Sequence, residues 1–84
     1  MYRKDVPEWE LAADGKSVVR TYVFKDFKEA LVFVNRIGVL AEAEGHHPDI
    51  SIHYNKVTLK LWTHEVGGLS INDFIVAAKI NYIS

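Results

Sequence analysis

The chain predicts an α+β fold, a four-stranded antiparallel sheet with helices packed on one face in the order β-β-α-β-β-α. Three observations predict it. An Asp14-Gly15 pair separates two apolar stretches near the start, which is the signal of a tight hairpin. Two later segments, one covering residues 27–44 and one opening at Ser70, carry apolar residues at helical spacing. Between them Ile50, Ile52 and Tyr54, then Val57, Leu59 and Leu61, alternate with polar residues at the period of a strand. Two hairpins with one helix between and one after imply a single sheet covered on one side.

Taken in order, residues 9–13 read as a first strand. Asp14 and Gly15 both tolerate the positive φ of a two-residue type I′ turn. Residues 18–24 are rich in β-branched and aromatic side chains and form the return strand. Asp26 opens a helix, and Glu29 three positions later completes a D-x-x-E capping box. Phe27, Leu31, Val34, Gly38 and Ala41 form its apolar stripe, which Ala30, Phe33 and Ile37 widen. Gly45 ends it, as a residue suited to a left-handed turn does. The helix over 27–44 is about 27 Å long at 1.5 Å per residue.

Residues 50–54 predict a half-buried strand, Asn55-Lys56 a tight turn, and residues 57–62 a fourth strand. Gly67-Gly68 breaks the chain, and Ser70 caps a last helix with Asp73 at its third position. Ile71, Phe74, Ile75, Ala78 and Tyr82 make one apolar stripe on that helix, and Val76, Ile80 and Ile83 a second. A helix apolar on two sides is deeply buried or packs across an interface. In so short a chain the interface is the favoured reading.

Composition narrows the class. At 84 residues the chain is one domain, residues 1–84, and 49% of it is hydrophobic, generous for a thin core. Apolar surface shared with another copy of the chain would account for that. With no cysteine there is neither a disulfide nor a thiolate metal site. The net charge of −1 is spread without a basic stripe, so no nucleic-acid partner is expected. No apolar run approaches the roughly 18 residues that span a bilayer, so no membrane is expected. Met1-Tyr2-Arg3-Lys4-Asp5 has no apolar signal core behind it. A soluble, cytoplasmic protein is the expectation.

All four histidines lie between positions 46 and 64. His46-His47-Pro48 follows the long helix and His64 ends the fourth strand, places where scaffolds present functional groups. Pro48 fixes its own φ and pushes His47 towards extended backbone, which stiffens the pair. Two loop histidines are often merely solvated, so that reading stands beside the functional one. A zinc site needs three or four convergent ligands. Three histidines and Glu42 would have to supply them without an H-E-x-x-H pattern or cysteines, and a metal is not expected. His53 alternates with its neighbours on a strand face and reads as a surface residue.

The combination Glu42-x-x-x-His46-His47-Pro48, Tyr54-x-Lys56-Val57, Thr63-His64, Gly67-Gly68-Leu69-Ser70 and Asp73 resembles the pterin-4a-carbinolamine dehydratases. Trp9, Tyr22-x-Phe24-x-Asp26-Phe27 and Ala77-Ala78-x-Ile80 extend the resemblance over nearly the whole chain. The resemblance implies dehydration of 4a-hydroxytetrahydrobiopterin to quinonoid dihydropterin. It also implies that no metal or redox cofactor takes part. The pterin reaches such enzymes from aromatic amino-acid hydroxylases, which suggests a functional link to one. Water elimination needs one proton delivered to the 4a-hydroxyl and one removed from N5. Histidine, with an ordinary pKa of about 6.5, suits both transfers.

By resemblance, His46 and His64 are the acid/base candidates, with neither role assigned to either. His47 binds and orients the pterin with a share in catalysis. Glu42, Gly45, Pro48, Trp62, Thr63, Glu65 and Asp73 are the substrate-binding candidates. Asp73 also reads as the third residue of an S-x-x-D helix cap, and both roles stay open. Relatives often carry an acid or amide where Gly45 stands, and animal forms carry Trp where Ile50 stands. Longer relatives carry an extra N-terminal helix, and this shorter chain is expected to lack it. Relatives form dimers through sheet edges and tetramers through helices, so a homodimer or homotetramer is expected, the dimer favoured. Two other readings stay open. Animal relatives double as dimerisation cofactors of a transcription factor, and some relatives act on other pterins, such as those leading to molybdenum cofactor.

Overall fold

The computed structural model describes residues 9–63 and 66–83. Its elements are β1 (Glu10–Leu11), β2 (Val18–Val23), α1 (Phe27–Glu44), β3 (Asp49–His53), β4 (Lys56–Leu61) and α2 (Ile71–Ile83). The strands make one antiparallel sheet in the order β1-β2-β4-β3. This is the α+β order that the hydrophobic periods predict.

Central β4 shows why the sheet is one-sided. Val57, Leu59 and Leu61 are fully buried and face the helices, while Lys56 and Lys60 are exposed. On β2 the same alternation turns Val18 and Tyr22 inward. These side chains meet Ala30, Phe33 and Ile37 of α1 and Val76, Ala77 and Ile80 of α2, with Trp9 sealing the cluster. Full burial of each large aliphatic group contributes about 1.5–3 kcal/mol. Trp9 Nε1 and Arg20 Nη1 both donate to Asn81 Oδ1, at 2.9 and 2.6 Å, so α2 is tied to the start of the sheet.

The helix ends follow their caps. Asp26 Oδ1 accepts from Glu29 N–H at 2.9 Å, and Gly45 closes α1 in the left-handed region at φ 65°. Both boundaries agree with the sequence reading. The buried stripe differs: Ala30, Phe33, Ile37 and Ala41 face the core, whereas Phe27 and Leu31 stay exposed. With residues of both stripes apolar, the short sheet covers only one of them.

Further expectations are corrected. The first hairpin loop is wider than a two-residue turn. Ala12 and Ser17 close it by a hydrogen bond, Gly15 N–H returns to Ala12 O, and only Gly15 has positive φ. Asp14 instead accepts from Lys16 N–H, the local bond that Asp side chains make in turns. This loop leaves β1 only two residues long. The second turn is Tyr54-Asn55, one residue earlier than expected, because His53 pairs with Lys56. Asn55 is held by Phe24 through two hydrogen bonds, and Tyr54 takes the positive φ of 55°. Edge strand β3 is largely exposed rather than half-buried. β4 ends at Leu61, and Thr63 forms a separate bridge with Gly68. On α2 the core takes the stripe of Val76 and Ile80, with Ala77, and leaves Ile71, Ile75, Ala78 and Tyr82 outside. Among the described residues no helix is long and apolar enough to cross a membrane.

Candidate active site

The end of α1 aims the first histidine. Gly45 N–H returns to Glu42 O and His46 N–H to Ala41 O. That pair of bonds is the Schellman motif, which requires a left-handed residue at position 45. Gly45 therefore acts on His46 through the backbone. Lys79 Nζ donates to Glu44 Oε2 at 2.6 Å and links the last turn of α1 to α2.

His46 meets Asp73 there. Its Nε2 lies 2.5 Å from Asp73 Oδ1; the histidine side chain is 17% exposed and the aspartate 0%. Asp73 Oδ2 accepts from Ser70 N–H and from Thr63 Oγ1, each at 2.9 Å. Ser70 Oγ and Thr63 Oγ1 are 2.7 Å apart. Of the two roles that the sequence leaves open for Asp73, the structure shows the cap: Asp73 receives the N–H of Ser70 at the start of α2, and its other oxygen contacts His46. The Ser70 hydroxyl does not cap the helix but turns to Thr63.

Thr63 is buried, and its polar groups are all engaged. Its N–H donates to Gly68 O, its O accepts from Gly68 N–H, and its hydroxyl sits in the Asp73 cluster. It anchors the strand end that leads to His64. His64 and Glu65, both site candidates, lie outside the described residues.

The second histidine faces outward. His47 Nε2 contacts Glu42 Oε2, a pair whose side chains are 60% and 78% exposed. Five residues separate Glu42 from His47, more than the helical neighbour spacing, so the contact depends on the chain leaving the helix at left-handed Gly45. Half-buried Pro48 leads from the pair into β3. Trp62, half-buried, donates its indole N–H to Asp49 Oδ2 at 3.2 Å. His53 lies at the far end of β3, about 13 Å along the strand from Asp49 at 3.3 Å per residue, and it is exposed. Ile50, where animal forms carry Trp, is exposed on the same strand. Among the described residues no three His, Asp or Glu side chains gather as a metal cage requires.

Two contributors were missed in the sequence. Asp49 holds Trp62, and the Ser70 hydroxyl reaches the Asp73 cluster. The β3–β4 register, which pairs Asp49 with Lys60, would have placed Asp49 beside Trp62. Nothing local marks Ser70 as more than a cap. His46, Thr63 and Asp73 are brought together; His47 and Glu42 form a neighbouring pair; Trp62 stands with Asp49. The cluster offers an imidazole held by a buried carboxylate and a second imidazole open to solvent. Such groups can move protons on a bound molecule.

The sequence pattern of the family described as pterin 4 alpha carbinolamine dehydratase matches residues 1–83. The chain belongs to this family. A dehydratase-family relative from Xanthomonas campestris pv. campestris is 51% identical over 75 residues, 89% of this chain and 64% of its own length. One from Thermomicrobium roseum is 52% identical over 77 residues, 92% of this chain and 81% of its own. Both bear the provisional name pterin-4-alpha-carbinolamine dehydratase. This chain therefore spans less than two-thirds of the Xanthomonas protein. Among solved structures, a Brucella melitensis protein described as transcriptional coactivator/pterin dehydratase superposes with a TM-score of 0.90 at 30% identity. The match covers 98% of this chain and 87% of that one. A pterin dehydratase-like protein identified as a RuBisCO assembly factor in the alpha-carboxysome superposes at 0.76 and 17% identity, over 90% and 88% of the two chains. The latter likeness concerns the dehydratase fold alone.

Proposed function

We propose that this chain dehydrates 4a-hydroxytetrahydrobiopterin to quinonoid dihydropterin by histidine acid/base catalysis. One observation carries the reading: buried Asp73 holds His46 against Thr63, the residue before His64. Two segments far apart in sequence are thereby tied at one place, which supports the reading. In the reaction a proton reaches the 4a-hydroxyl, the C4a–O bond breaks and water leaves. The electron pair of the N5–H bond becomes the N5=C4a double bond, and a base takes the N5 proton. His46 and His64 exchange these protons; His47, steadied by Glu42, orients the ring with a share in catalysis. Trp62 supplies an aromatic wall, Pro48 and Gly45 shape the rim, and Glu65 is a further substrate-binding candidate. The reaction works without a metal or redox cofactor, in the cytoplasm, on pterin released by an aromatic amino-acid hydroxylase.

Stopped-flow absorbance of 4a-carbinolamine decay tests this. Catalytic amounts of the protein should accelerate the decay; an unchanged rate overturns the reading. Comparing several 4a-hydroxypterins separates biopterin recycling from action on another pterin. A second reading, an interaction protein without catalysis, is favoured by the exposed apolar stripe of α2, Ile71, Ile75 and Tyr82. It predicts partner capture with no acceleration of decay.

A further inference from the structure

We infer that Asp73, Thr63 and Ser70 are positioning residues that fix the tautomer of His46, so that Nδ1 is the ring atom that exchanges protons with substrate. The inference rests on the dehydratase reading and adds the direction of each proton in the cluster.

The hydrogen bonds determine those directions. Two donors, Ser70 N–H and Thr63 O–H, end on Asp73 Oδ2. In this assignment Asp73 accepts at both oxygens, as a carboxylate does, and His46 Nε2, 2.5 Å from Oδ1, is the donor. The one proton of the Thr63 hydroxyl goes to Asp73, so the 2.7 Å contact with Ser70 is a bond that Thr63 accepts. Every proton then points one way: Ser70 O–H to Thr63, Thr63 O–H to Asp73, and His46 Nε2–H to the same carboxylate. With Nε2–H committed, the neutral ring keeps its lone pair on Nδ1, which has no partner among the described residues. A hydrogen bond at one ring nitrogen setting the state of the other is the general rule for catalytic imidazoles. Of these four residues, only His46 exchanges protons with substrate; Asp73, Thr63 and Ser70 act through it.

The deciding measurement is nitrogen-15 NMR of His46 in the full chain at about pH 9, above the ordinary histidine range. The expected signal is a neutral ring protonated at Nε2. A ring protonated at Nδ1, or doubly protonated, overturns the inference without using any variant. Asp73→Asn supplies the second readout. Its amide oxygen can keep the Ser70 and Thr63 bonds, while its NH₂ faces Nε2 and drives the ring proton to Nδ1. The tautomer should invert and kcat should fall by roughly 10–100-fold with KM changed less than about threefold. Ser70→Ala should lower kcat by about two- to fivefold, and Ser70→Thr should restore it. Unchanged kcat in Asp73→Asn with an inverted tautomer also overturns the inference. Accelerated carbinolamine decay with an Nδ1–H ring sinks the tautomer assignment alone. An Nε2–H ring in a protein that leaves decay unchanged sinks the dehydratase reading alone.

Discussion

At the residue scale the site divides by burial. His46 is clamped on one side by a buried carboxylate, whereas His47 pairs with an exposed glutamate. Exposed pairs of that kind contribute at most about 1 kcal/mol. His46→Ala and His64→Ala should therefore each lower the catalysed rate about 10²-fold or more, the scale of a positioned acid or base. Exposed His53→Ala should leave it within about twofold. Stopped-flow decay with each variant checks the set, and equal losses in all three would remove the distinction. Glu42→Gln should act mainly on KM, since it removes the charge beside His47 without touching the Asp73 cluster. Much of this was readable in the chain: His46, His47 and Asp73 stand out as residue types at element ends. The Ser70 hydroxyl and Asp49 did not, because each works through a partner 7 or 13 positions away in sequence. Only the pairing of strands and the docking of α2 bring them together.

At the element scale the cap of α1 joins stability to the site. Among the described residues nothing lies within 4 Å of where a Cβ at position 45 would stand, so Gly45→Ala meets no clash with them. Its cost is the left-handed backbone at φ 65°, about 1–2 kcal/mol for a residue with a Cβ. Urea unfolding should show that loss with an unchanged m-value. Leu59→Ala, in the middle of β4 and fully buried, should cost about 2–5 kcal/mol by leaving a cavity. A loss below about 1 kcal/mol there would contradict the core described above. Helix boundaries were legible because Asp26 and Gly45 are local signals read by the nearest backbone. Which stripe of α1 is buried was not. Leu31 and Ile37 look alike in sequence, and only contact with β4 and α2 separates them. The turns were missed by one or two residues for a similar reason. Asn55 is held by Phe24, 31 positions away, and this long-range tie places the turn at Tyr54-Asn55.

At the scale of the whole molecule the question is what covers the apolar surface left outside. Val39 on α1 and Ile71, Ile75 and Tyr82 on α2 are exposed, Tyr82 to 91%. Among the described residues, β3 pairs with β4 alone. Scattered apolar side chains are ordinary on a surface. A stripe along one helix beside the buried one is less so, because it repeats the core pattern on the wrong side. A stable association would need to remove roughly 1,200 Å² or more from water, and a second copy of the same stripe across a two-fold axis is self-complementary. The expected outcome of sedimentation equilibrium is a mass two or four times 9.6 kDa. Ile75→Glu then locates the joint. If the helices meet, a carboxylate in the apolar stripe should halve the mass or dissociate it fully, with the monomer still folded by circular dichroism. If the sheet edge at β3 is the joint, the same substitution should leave a dimer intact. A wild-type chain that sediments as a monomer at tens of micromolar would mean that this apolar stripe is simply solvated.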